Sequence, residues 1–125
     1  MFCNQCEQTA KGTGCTVMGV CGKQPDTAAI QDLIVYALRG LSLVALAARE
    51  KGVADLSAGR LTVSALFSTL TNVNFDNVSL ERMLRRVVDA RKALAKQAGC
   101  SFTSGPAAYE PAADLGGLVA QADVG

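Results

Sequence analysis

Four of the five cysteines fall within the first 21 residues, as Cys3, Cys6, Cys15 and Cys21, in the spacing C-x2-C-x8-C-x5-C. Gly12, Gly14, Gly19 and Gly22 are interleaved with them. Glycine at this density opposes a regular helix or strand, because it loses the most conformational entropy when ordered. It favours a loop that folds back on itself with backbone N–H groups turned inward, here toward sulfur. Residues 1–24 are therefore expected as an irregular cysteine- and glycine-rich loop that binds metal. Cys3 and Cys6 are close enough in sequence to bind one metal or two edges of one cluster.

The rest of the composition narrows what that metal can be. Histidine is absent from all 125 residues, which removes the commonest neutral ligand and the commonest general base. Any metal must be held mainly by thiolate. With 12 Lys and Arg against 11 Asp and Glu, no basic field is available for nucleic acid. The chain opens Met1-Phe2-Cys3 without a basic start or an apolar leader, so no signal peptide is expected. The most apolar stretch, Ile30 to Ala48, is interrupted by Asp32 and Arg39 and is expected to fall short of a membrane span. We expect a cytoplasmic protein with neither membrane nor nucleic-acid partners. In a reducing compartment clustered cysteines bind metal more often than they pair as disulfides.

Beyond the loop, helical periodicity takes over. Pro25-Asp26-Thr27 is a start signal, with Asp26 or Thr27 expected to accept a first-turn N–H. A helix is expected from about Ala28 to Lys51, with Ile30, Leu33, Ile34, Ala37, Leu38, Leu41, Ala45 and Ala48 at three- and four-residue steps and Gly52 as its stop. A second runs from about Ser57 to Leu70, with Leu61, Ala65 and Leu66 on one face. Asn72, Asn74, Asp76 and Asn77 read as a polar turn. The third helix, from about Val78 to Ala98, has Leu80, Leu84, Val87, Leu94 and Ala98 as its stripe and ends at Gly99. Its Arg82, Arg85, Arg86, Arg91, Lys92 and Lys96 are expected to form a solvated face. The fold class is thus all-α, an antiparallel three-helix bundle over residues 25–100 preceded by the loop.

Residues 101–125 change character. Gly105, Pro106, Pro111, Gly116 and Gly117 break long elements, and the charges Glu110, Asp114 and Asp123 are all acidic. A linker or docking strap is expected, with a short helix at Leu115 to Ala122. Cys100 reads as a buried or idle thiol. Glu7 and Gln8, between ligands, are expected to hydrogen-bond within the loop. Met18 is expected to shield the centre from water, Asp32 to favour the helix dipole, and Lys11 and Lys23 to offset thiolate charge in part.

Four thiolates complete a [4Fe–4S] cube or the two irons of a [2Fe–2S] rhomb. Zinc is the alternative, as a structural and interaction module, although zinc sites favour two short pairs and the second pair here is C-x5-C. A pair of disulfides is the third possibility. Spacing alone leaves all three open.

The stretch MFCNQCEQTAKGTGCTVMGVCGK closely resembles the N-terminus of the hybrid cluster protein family, also called prismane proteins or hydroxylamine reductases. IQDLI with the following YALRGL, and SALFSTLTNVNFD, continue the likeness to about residue 98, and it weakens in the tail. The resemblance implies that Cys3, Cys6, Cys15 and Cys21 hold one [4Fe–4S] cluster, since their spacing looks like that of the branch carrying a cube rather than the wider-spaced [2Fe–2S] branch. It also implies electron transfer to a second, hybrid iron–sulfur–oxygen cluster, where hydroxylamine or nitric oxide is reduced. In the family that cluster is bound by histidine, glutamate and cysteines from later domains. A chain without histidine is expected to lack it, to turn over no substrate alone, and to represent the N-terminal domain, either excised or naturally short. The implied partners are those later domains and a redox donor.

Overall fold

The structure, a computed structural model, describes residues 1–70 and 73–122; Asn72 of the expected polar turn and Asp123 of the tail lie outside the described residues. Four helices are present there: α1 (Pro25–Glu50), α2 (Leu56–Ser68), α3 (Asn77–Ala98) and the short α4 (Leu115–Gln121), with 3-10 turns at Ala10–Gly12 and Pro106–Ala108. The first three form the bundle. α1 packs most extensively on α3, and α2 lies against both. The core is the apolar stripe of α1 (Ile30, Leu33, Ile34, Ala37, Leu38, Leu41, Val44, Ala48) meeting Leu80, Leu84, Val87, Val88 and Leu94 of α3.

α1 starts earlier than the periodicity suggests, because Pro25 occupies its first turn, where a missing N–H costs nothing. Gln24 stands at the N-cap without a side-chain bond, but Asp26 Oδ1 accepts a first-turn N–H, that of Thr27 (2.8 Å), as expected. Both also reach to α3: Thr27 Oγ1 donates to Asn77 Oδ1 (2.7 Å), and Asn77 Nδ2 donates to Asp26 Oδ2 (2.9 Å). By length and composition α1 is long and apolar enough to cross a membrane, with a mean hydropathy of 1.5 over its most apolar 18-residue window, despite Asp32 and Arg39. Over half of that window is buried within the fold, as befits a bundle's central helix.

α2 is capped by Asp55, which accepts from Ser57 N and Ala58 N. It buries Ala58, Ala65 and Ser68, whereas Leu66, expected on the inner face, is exposed and Leu61 is only partly buried. α3 is capped by Asp76 and closed by Gly99 in the left-handed conformation (φ 63°). Cys100 is half-buried just beyond, packed at the edge of the core.

Residues 101–122 run back along the bundle as a strap on α1 and α3. Ala107, Tyr109 and Leu118 are buried, and the Tyr109 ring meets Tyr36 of α1 edge-on at 5.6 Å. Arg91 corrects the expectation of a solvated basic face. It is 3% exposed and donates to Pro106 O (3.3 Å), Tyr109 O (2.6 Å) and Glu110 Oε1 (3.1 Å). Arg85 donates to Ala112 O and Ala113 O, and Lys92 pairs with Glu110. The strap has little regular structure of its own, so its carbonyls take their partners from these cations.

Candidate metal centre

The loop is held by an isolated antiparallel bridge. Cys3 N–H donates to Cys15 O (3.0 Å) and Cys15 N–H to Cys3 O (2.8 Å). Residues directly opposed in such a pair project their side chains to the same face. The structure therefore brings Cys3 and Cys15, twelve positions apart, onto one face. Between them the chain reverses through Lys11 (φ 57°) and Gly12 (φ 67°), both left-handed. The reversal delivers Ala10 N–H to Cys15 Sγ at 3.4 Å.

Cys15 is buried, while Cys3, Cys6 and Cys21 are half-buried. The Cys15 thiol is held below its ordinary pKa by the N–H of Ala10 and then that of Val20; burial opposes this, and the charge of Lys23 adds to it. Cys21 sits in a turn closed by Gly22 N–H to Gly19 O (2.8 Å) and Gly19 N–H to Lys23 O (2.8 Å). Only hydrogen would fit at Gly19, where a Cβ would stand 3.1 Å from Cys21 Sγ and 2.9 Å from Lys23 Cβ. No disulfide joins any of the five cysteines. Among the described residues, no three Cys, Asp or Glu side chains converge closely enough to hold a single metal ion.

Two residues that the sequence reading underweighted organise this face. Lys23 is 2% exposed, with Nζ donating to Gln5 Oε1 at 3.1 Å and lying 3.7 Å from Cys3 Sγ. Gln5 in turn donates through Nε2 to Thr69 O (2.9 Å), tying the loop to the end of α2. The Asn-Gln flank between Cys3 and Cys6 was the available signal for Gln5. Lys11, by contrast, is exposed. Below the loop, a cavity of about 90 Å³ is lined by Cys3, Gln5, Lys23, Gln31, Asp32 and Thr69, among others. Gln31 Nε2 donates to Asn74 O (3.0 Å), and its buried Oε1 finds no partner among the described residues. Burial pushes the Asp32 carboxyl up, against the pull of Lys23 and the N-terminal ammonium. Asp32 is thus an exposed carboxyl at the loop's base as well as a helix-start residue.

Two expectations fail here. Met18 is 51% exposed, and its sulfur accepts from the Gln24 amide (3.2 Å). Glu7 and Gln8 are exposed and make no side-chain hydrogen bond among the described residues.

Residues 1–122 match the Prismane/CO dehydrogenase family, so the match includes the strap, where the resemblance read from sequence weakened. Curated relatives include hydroxylamine reductases from Methanocella arvoryzae (56% identical over 97% of this chain), Solidesulfovibrio magneticus (54% over 99%) and Syntrophobacter fumaroxidans (53% over 100%). The chain spans about a quarter of the length of these relatives, 23%, 23% and 24% respectively. A match through nearly every described element, at about half identity, places the chain by descent. It belongs to the Prismane/CO dehydrogenase family, in the part that resembles the N-terminal region of the hybrid cluster proteins.

Proposed function

We propose that residues 1–24 bind one [4Fe–4S] cluster through Cys3, Cys6, Cys15 and Cys21, and that the chain serves as a one-electron relay. The observation that carries this is the donor set around the Cys3–Cys15 bridge. It offers sulfur and no imidazole, a backbone N–H on Cys15 Sγ, and a buried ammonium beside Cys3 Sγ. These groups fit an anionic, thiolate-ligated centre, whose charge and potential respond to N–H···S bonds and nearby cations. A bound cube supplies reversible uptake of one electron. The protein's part is to hold four thiolates, aim N–H dipoles at them and limit water at Cys15.

Zinc is the weaker fit because its sites favour two short cysteine pairs, and the second pair here is C-x5-C.

The relatives are named hydroxylamine reductases. In a longer protein of that kind, the loop would pass electrons singly to a catalytic centre built by other residues. Conversion of hydroxylamine to ammonia and water consumes two electrons and two protons. A reducing cytoplasm suits a thiolate-ligated centre of this sort.

The test is Cys15→Ala. Because the loop has almost no core of its own and the bundle has a separate one, the variant is expected to lose its iron and sulfide and keep its helical circular dichroism. Iron and sulfide retained at wild-type content would contradict the ligand assignment.

A further inference from the structure

Lys23 is buried more completely than any of the four cysteines, and it forms no ion pair among the described residues, the nearest acidic group on its cavity being Asp32, which feels its charge from a distance. Among the described residues the ion pairs join Arg85 to Glu81, Arg91 to Glu110 and Lys92 to Glu110; none involves Lys23. Asp32, across the cavity, is beyond ion-pair distance. The ammonium is met by a neutral amide oxygen, Gln5 Oε1 at 3.1 Å, and by Cys3 Sγ at 3.7 Å. Burying an ammonium with so little compensation is costly unless an anion faces it. The facing atom is the sulfur of Cys3, one of the proposed cluster ligands.

Its backbone is fixed as firmly as its head group. Lys23 O accepts from Gly19 N–H, and the absence of a side chain at Gly19 lets the turn bearing Cys21 close onto the Lys23 stem. One residue therefore contacts the Cys3 sulfur with its charge and braces the Cys21 turn with its stem. Lys11, the other lysine of the loop, is exposed and has no such contact.

We propose that Lys23 is the built-in counter-charge of the cysteine centre, a positioning and potential-setting residue that favours the more negative, reduced state. The proposal rests on the cluster reading. A fixed cation attracts a trianionic centre more strongly than a dianionic one, and removing it shifts the one-electron equilibrium toward the oxidised form. Low local dielectric and exclusion of water strengthen the effect.

The experiment compares wild type, Lys23→Met and Lys23→Arg by anaerobic potentiometric titration with dithionite as the one-electron donor, alongside iron and sulfide determination. Lys23→Met is expected to lower the reduction equilibrium constant at least tenfold, which is about 59 mV for one electron. Lys23→Arg, which keeps the charge, is expected to stay near wild type. If Lys23→Met cannot hold iron, Lys23→Arg with native iron and potential still supports a charge role. A Lys23→Met protein with full iron and sulfide and an unchanged potential would overturn the proposal and leave the cluster reading standing. Loss of iron from both variants would overturn it too, since the role would then be one of shape. A wild-type chain without iron and sulfide would overturn the cluster reading itself, and Lys23 with it.

Discussion

Gly40 occupies the middle of α1, where glycine costs about 1 kcal/mol relative to alanine. Its neighbour explains it: a Cβ there would lie 2.6 Å from the carbonyl carbon of Pro106 in the strap. Gly40→Ala is thus expected to destabilise the protein by about 1–3 kcal/mol through overpacking, in spite of the gain in helix propensity. Urea unfolding measures this, and limited proteolysis within residues 101–114 should rise in parallel. A stabilised variant would show that the strap does not press on α1. Arg91 carries the same lesson in sequence terms. It lies four residues after Val87 and three before Leu94, on the apolar stripe itself, so helical periodicity alone placed it inward. Its charge suggested solvent. What was missing was the partner, because strap carbonyls have no sequence signature.

Among the elements, α1 and α3 were legible because long, strongly periodic helices announce themselves. α2 was less so. Its true inner face is made of Ala58, Ala65 and Ser68, small residues that carry almost no hydrophobic signal, while Leu56, Val63, Leu66 and Phe67 stay exposed. Its start depends on Asp55, whose carboxyl is held below the usual carboxylate range first by the Ser57 hydroxyl, then by Ser57 N–H and Ala58 N–H, against slight burial. A carboxyl with a depressed folded pKa contributes stability that is complete above its unfolded value of about 3.9 and is lost as pH falls through the folded value. Hydrogen exchange at Ser57 and Ala58 should therefore accelerate, relative to amides in α1, as pH drops below about 4. Asp55→Asn should flatten that dependence. The same acid profile in both proteins would remove Asp55 as the cap that titrates.

At the scale of the whole molecule, the fold is a helical core with irregular chain at both ends, each end held by buried cations. Arg91 gathers the carbonyls of the strap, and Lys23 faces the sulfur of the loop. The cysteine spacing carries the proposal for the loop's chemistry, since four thiols among glycines in a chain without histidine admit few uses. The Cys3–Cys15 bridge was not readable, because a single backbone pair leaves no periodic trace. The short helix of the strap was readable at Leu115 to Ala122, whereas the strap's seat on α1 and α3 was not, because it comes from packing and not from any propensity of its own. Metal and loop are expected to fold together, with the bundle as a preformed base. The most direct measurement is iron, acid-labile sulfide and zinc, determined anaerobically on one sample of the wild-type chain. A cluster-bearing loop predicts about four irons and four sulfides per chain with negligible zinc. Stoichiometric zinc without sulfide, or no metal at all, would contradict it.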